Sequence, residues 1–389
     1  MRIAIVGGGV IALLSAVNCV SAGHDVVLVD QADIPFSGAT SFDRHRVIHA
    51  LHPDPVVAAA AMRAHLRWID LQDRLSTRFY EQIGALTAVA DRELPDTMAM
   101  LAGVGAPASI LPPDELTARF PHVVFPPGTS GVLEPHTGVL LADRVLAACV
   151  GWLRWSARAR LHPHRRAVWI DTDNATVQLA GGELVRADAV LLAVGPWSRA
   201  LLPPDLAGEL VLHRQSMIYC DVPPSDARRW SATPVLRALG PTGGGWLVPP
   251  VATAPLKLSD PSAGRVVSEV GDNTTPPHWR DRLLGSFAEV VPALRAEWLI
   301  DTRDCYYLTR AATGGSMLAV LGERVVSYAA CGGASFKFAP LIAECLVGHL
   351  TGADLEPTGL DPLDHPTVWV APDIPTGHRQ ARSVSEVLP

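Results

Sequence analysis

RIAIVGGGVIALLSAVNCVSAGHDVVLVD, residues 2–30, is the stretch whose reading decides the fold. Arg2–Val6 is a short apolar run, Gly7-Gly8-Gly9 breaks it, and Val10–Ser21 repeats apolar residues at helical spacing before Gly23. A second apolar run then ends at Asp30. Three consecutive glycines would be out of place in the apolar part of a signal peptide, so the segment reads as strand, turn, helix, strand. The turn has the form Gly7-x-Gly9-x-x-Ala12. The first glycine permits a tight turn, and the second lets a pyrophosphate approach the backbone leading into Val10 and Ile11. The small third residue lets helix and strand pack closely. Asp30 follows the glycines by about 20 residues, where a carboxylate holds a ribose hydroxyl. Glycines alone would be weak evidence; with both strands, the helix and the acid, the segment points to a bound dinucleotide.

Composition narrows the classes. With 389 residues, 48% of them hydrophobic and 18% charged, the chain can bury a large core and is expected to form two domains. A net charge of −7 without any basic run argues against a nucleic-acid partner. The six cysteines (19, 149, 220, 305, 331 and 345) form no Cys-x-x-Cys pair and no Cys/His metal spacing. They read as reduced thiols in the cytoplasm, with no metal site. No uninterrupted apolar stretch reaches about 18 residues, so no transmembrane helix or membrane partner is expected.

A nicotinamide-binding domain would continue after Asp30 with strands and helices in alternation. Instead the chain enters QADIPFSGATSFDRHRVIHA, a polar and aromatic loop, followed by a long helix from about Pro55 to Tyr80. A further apolar strand lies in ADAVLLAVGPWSRALLP, residues 187–203, and ERVVSYAACGGASFKF turns through Gly332-Gly333 into a last helix. Cofactor-domain pieces at the start, middle and end indicate a discontinuous flavin domain of residues 1–78, 134–208 and 305–389. The intervening segments 79–133 and 209–304 would form a substrate domain. The proline-rich tail from about 356 reads as irregular surface coil.

These segments in this order, with LEPHTGVLLADRVL, LKLSD and DCYYLT, make the chain resemble the D-amino-acid-oxidase-like flavoproteins. Within them it is most similar to the sarcosine oxidase, N-methyltryptophan oxidase and pipecolate oxidase group. The resemblance covers nearly the whole length. It implies an α/β fold: a Rossmann-type FAD-binding domain of the D-amino-acid-oxidase type, with a second substrate domain on a mixed β-sheet. It also implies a monomer acting on a small amine or amino acid with O2.

Carried over residue by residue, the resemblance assigns the FAD pyrophosphate and ribose to Gly7, Gly9, Val10, Ile11 and Asp30. Thr40, Ser41 and Arg46 would cross the flavin, and Ala167, Gly195 and Trp197 would line the adenosine side. Gly333, Ala334, Phe336 and Lys337, at the start of the last helix, would lie beside the ring, where a helix N-terminus suits the charge of reduced flavin. Cys305 falls on the cysteine that carries the flavin as a thioether, and Tyr307 on an active-site tyrosine. Lysine occurs at two positions only, 257 and 337, among 32 Lys+Arg. Lys257 matches the lysine that activates O2, where a compact ammonium suits developing negative charge. Lys337 matches the one that binds the substrate carboxylate. The bland alternative is a pair of snorkelling side chains.

The departures concern specificity. RVIH, residues 46–49, ends in His49 where the family has a second, carboxylate-clamping arginine, so the acid group is held differently or is absent. The family histidine after the LKL lysine is missing, and Trp246 stands where tyrosine is common. The expected reaction is oxidation of an amine or N-substituted amino acid to an imine, with hydrogen peroxide formed from O2. The alternatives are a dehydrogenase of the same family using another acceptor, a flavin-binding protein without turnover, and a NAD-dependent dehydrogenase.

Overall fold

The structure, a computed structural model, describes residues 1–352; the proline-rich tail lies outside them. Arg2–Val6 is a strand, Val10–Ser21 a helix and Asp25–Val29 a second strand, paired in parallel from Arg2↔Asp25 to Val6↔Val29. Gly7 makes the turn because a side chain cannot. Its φ is +116°, and a Cβ there would lie 2.3 Å from the carbonyl oxygen of Ala193.

Around this unit a six-stranded sheet runs in the order Ser316–Gly322, Val325–Cys331, Ala189–Leu192, Arg2–Val6, Asp25–Val29, Ala159–His162. All its neighbours are parallel except the first pair. Its middle strands are apolar on both sides, as a doubly covered parallel sheet requires. The helices Val10–Ser21, Pro55–Arg74, Ala142–Trp155 and Ser335–Thr351 share one core with Ile3, Ile5 and Leu28. The opposite face packs through Val6, Val27 and Leu192 on Ile170, Val177 and Val185 of a small three-stranded sheet.

A nine-stranded mixed sheet is built from strands between Ala85 and Glu134 and between Leu210 and Arg310. Strand alternation sorts its side chains. Ile218, Leu236, Leu247, Leu256 and Leu258 form a core with Leu283 and Phe287 of the helix Pro277–Val290. The intervening residues Met217, Val235, Arg237, Trp246, Val248 and Lys257 line a cavity instead. The strand Leu299–Arg310 pairs with Leu210–Cys220 along its length, so residue 305 falls inside one strand of this sheet.

Two elements are shorter than the sequence suggests. The helix from Pro55 stops at Arg74, because Ser76 takes φ 47° and the Gln72 side chain accepts hydrogen bonds from the backbone of Phe79 and Tyr80, each 2.9 Å. These bonds turn the chain into the strand Tyr80–Glu81. The strand within 187–203 stops at Leu192, and Gly195–Ala200 is a 3-10 turn, where Pro196 has no N–H for a ladder.

Candidate active site

A cavity of 540 Å³ is lined by residues from both large sheets and from the loop 36–49. The residues singled out from the sequence all line it. Gly7, Gly9, Val10 and Ile11, Asp30, and Gly195 with Trp197 lie at the carboxyl ends of parallel strands, and Ala167 begins the first strand of the small sheet. Thr40, Ser41, Arg46 and His49 come from the loop and the short strand beyond it. Trp246, Lys257, Cys305 and Tyr307 come from the nine-stranded sheet, and Gly333, Ala334, Phe336 and Lys337 from the start of the last helix.

The loop is tied down at several points. Ser41 Oγ accepts from the backbone N–H of Val10 at 3.0 Å, and the Thr40 hydroxyl donates to the carbonyl of Tyr306. Arg303 donates to the carbonyl of Ser37 at 2.6 Å. Asp43 then gathers three side chains: its carboxylate contacts Lys257 Nζ and the Arg46 guanidinium and accepts from the Tyr219 hydroxyl at 2.7 Å. Lys257 is only 3% exposed and lies beside the rings of Trp246 and Tyr219, at 5.3 and 5.7 Å from their centroids. Burial pushes its ammonium well below the ordinary lysine range and Arg46 adds to this; contact with Asp43 acts in the opposite sense.

Lys337 belongs to a second cluster. Its Nζ is 3.3 Å from His49 Nε2, while Arg237 Nη1 is 3.1 Å from His49 Nδ1. Burial, Arg237 and Lys337 together push the imidazole well below its ordinary pKa, so it is neutral. Trp68 fixes the start of the last helix, donating to the Lys337 carbonyl at 2.8 Å and stacking on Phe336 with centroids 5.8 Å apart. Burial raises the Cys305 thiol pKa, and Arg46, Lys257 and Arg303 oppose that rise. The buried Tyr307 ring stacks on His213 at 5.0 Å and closes against Gly333, where a Cβ would lie 3.0 Å from the ring.

The family model for DAO, FAD dependent oxidoreductase, matches residues 2–348. The chain belongs to that family. Among its relatives, peroxisomal sarcosine oxidase of Mus musculus is 24% identical over 219 residues, 56% of this chain and 55% of that protein. The Homo sapiens peroxisomal sarcosine oxidase is 22% identical over 202 residues, 51% and 52% of the two chains. The chain thus spans about half the length of the curated relatives it matches. NikD, described as an unusual amino acid oxidase essential for nikkomycin biosynthesis, superposes in its open form with a TM-score of 0.75. It is 19% identical, with 91% of this chain and 94% of that one covered. A modified fructosyl peptide oxidase from Aspergillus nidulans gives 0.77 at 20% identity, covering 92% of each chain. The fold is therefore that of the FAD-dependent oxidases of this family, with a mixed α/β architecture.

The cavity fits the family's cofactor. The Gly7 turn leaves no room for a Cβ, and burial raises the Asp30 carboxyl pKa while the N–H groups of Ala32 and Gly8 oppose that. His45 lines the cavity, and its buried Nδ1 has no hydrogen-bond partner among the described residues. Groups that could hold a metal ion are absent among the described residues. No described helix is long and apolar enough to cross a membrane.

Asp43 and Arg237 escaped the sequence reading, as did Tyr328 and Cys331, which also line the cavity. A signal for Asp43 existed. A lysine at the middle of an apolar strand, Leu256–Ser259, requires a counter-charge, and the nearby loop carries one. Arg237 stands in the alternating run Val235–Leu239, where one charged residue breaks an otherwise apolar strand.

Proposed function

We propose that the protein is an FAD-dependent oxidase of N-substituted amino acids, turning amine plus O2 into imine plus hydrogen peroxide. The observation that carries this reading is the convergence on one cavity of the dinucleotide turn with Lys257, Tyr307 and Lys337. Gly7, Gly9, Val10, Ile11 and Asp30 would hold the pyrophosphate and ribose of FAD, and Ala167, Gly195 and Trp197 the adenosine side. Thr40, Ser41, Arg46, Gly333, Ala334 and Phe336 would hold the ring, with Cys305 joined to it as a thioether. Bound FAD supplies the two-electron acceptor for a hydride from the carbon next to the amine nitrogen. Lys337 takes the substrate's acid group, and the neutral His49 beside it adds no third charge. Lys257, fixed by Asp43, presents a positive centre to O2 as negative charge develops on it. Burial holds Cys305 as the thiol by raising its pKa, and Arg46, Lys257 and Arg303 oppose that rise, easing formation of the thiolate that makes a thioether. The scattered cysteines, without a Cys-x-x-Cys pair, suit a reducing compartment.

A dehydrogenase passing electrons to another acceptor is the second reading. It is favoured by the Asp43 carboxylate on Lys257, which offsets the charge that O2 would meet. A panel of sarcosine, N-methyl amino acids, proline and pipecolate separates the two. Peroxide formation with at least one of them supports the oxidase. Turnover seen only with an added dye acceptor supports the dehydrogenase, and no turnover with either sinks both.

A further inference from the structure

Away from this cavity, the outer side of the helix Ala142–Trp155 forms one wall of an open groove. Val145, Cys149 and Leu153 of that helix face the core, while Arg144, Ala147, Gly151 and Trp155, three or four positions apart, share the opposite stripe. Along it the small residues Ala147 and Gly151 lie between Arg144 at one end and Trp155 at the other, with Trp152 alongside. Arg74 and the turn at 75–77 form the other wall. Trp155 is 92% exposed at the end of its helix. No acid lines the groove, and neither Arg74 nor Arg144 enters an ion pair among the described residues. The surface is aromatic and cationic, a combination that takes proline rings on indoles and carboxylates on guanidinium groups.

The chain itself supplies such a ligand. Beyond Gly352 it continues as ADLEPTGLDPLDHPTVWVAPDIP, residues 353–375, with five acids, five prolines and Trp369 and without a lysine or arginine. The point of departure is close to the groove. Glu344 of the last helix feels the charge of Arg74, which lines the groove, and that helix ends at Thr351, about 10 Å beyond Glu344. Residues 353–361 span up to about 30 Å, the width of about three packed helices. A second copy of the chain fits less well, because a two-fold contact through this groove brings the arginines of one copy toward those of the other.

We propose that residues 361–372, DPLDHPTVWVAP, dock in this groove of their own chain. Asp361 and Asp364 meet Arg74 and Arg144, and Trp369 and the prolines pack against Trp152 and Trp155. Tethering keeps the segment at a high local concentration, so individually weak contacts hold it. The docking does not depend on the reading of the cavity as an oxidase site.

The test uses the complete 389-residue chain loaded with FAD, and follows chymotryptic cleavage after Trp369 by mass spectrometry at limiting protease. The parent should be cut slowly at this bond. Trp155→Ala and Arg144→Glu should each be cut about tenfold faster or more, with an unchanged melting temperature, because cleavage follows the population of the released segment. If Arg144→Glu does not fold, Trp155→Ala, which replaces a solvent-exposed side chain, carries the comparison. Cleavage of the parent as fast as of the variants overturns the proposal, as does protection that both substitutions leave intact. Protection that is lost on dilution places the segment on a second copy and overturns it as well.

Discussion

At the scale of single residues, two lysines carry most of the argument, and their settings differ. Lys257 is enclosed, with Asp43, Trp246 and Tyr219 around its ammonium. Lys337 is half-buried at the start of a helix, next to His49. The proposed function accordingly assigns them to different half-reactions. Lys257→Met is expected to leave reduction by substrate largely intact and to slow reoxidation by O2 about a hundredfold, the scale of losing one preorganised electrostatic donor. Lys337→Met should weaken substrate binding and slow reduction instead. Stopped-flow measurement of each half-reaction separates them, and a parent-like reoxidation rate in Lys257→Met removes that lysine from the oxygen site. Cys305 makes a prediction of its own. Acid-denatured protein should keep its yellow colour, and Cys305→Ser should release flavin into the supernatant on denaturation. Free flavin from the unmutated protein would contradict the thioether.

At the scale of elements, the strand Leu299–Arg310 is held in place by the residue beside Cys305. Asp304 is fully buried and accepts from Arg265 Nη2 and Thr275 Oγ1, both at 2.7 Å, and from Arg214 Nε at 2.5 Å. Asp304→Ala leaves two arginines, each with 18% of its side chain exposed, without their carboxylate. The expected loss is about 3–5 kcal/mol of folding stability, read from denaturant unfolding of the purified variant. A loss below 1 kcal/mol would mean that water or Asp272 replaces the clasp. The same scale shows what the sequence could and could not convey. The strand–turn–helix of residues 2–21 was legible because its hydrophobic period and its glycines agree with local geometry. The rarity of lysine also marked two site residues before any contact was known. Arg237 gave no comparable mark: with two lysines among 32 Lys+Arg, the other thirty are arginines, and none stands out by type. Its contact with His49 spans 188 positions, and that of Asp43 with Lys257 spans 214. Such pairings depend on how distant strands are brought together, which neither periodicity nor propensity encodes.

For the whole molecule, three histidines between residues 45 and 52 make stability depend on pH. Burial lowers the pKa of His45 to about 3 and of His52 to about 4, and pushes His49 well below its ordinary value. In the unfolded chain each would titrate near 6.5, so as pH falls below that value the unfolded state takes up protons that the folded state refuses. Folding is thus most favoured above about pH 6.5 and weakens as pH falls toward 4. For the fully enclosed His45 the loss is about 2 kcal/mol by pH 5, and His49 adds to it in the same direction. Thermal melts between pH 7.5 and 5 should show the decline, and His45→Gln should reduce its slope; an unchanged slope would place the titrating groups elsewhere.

The central claim, that this cavity uses bound flavin to oxidise a carboxylated amine, is tested most directly by anaerobic mixing of the holoenzyme with N-methyl amino acids, proline and pipecolate. The expected result is full bleaching of the flavin band by at least one of them, with no bleaching by the matching methyl ester or decarboxylated amine. Flavin that stays oxidised with every carboxylated amine, or that bleaches equally well with the neutral analogues, would contradict the account.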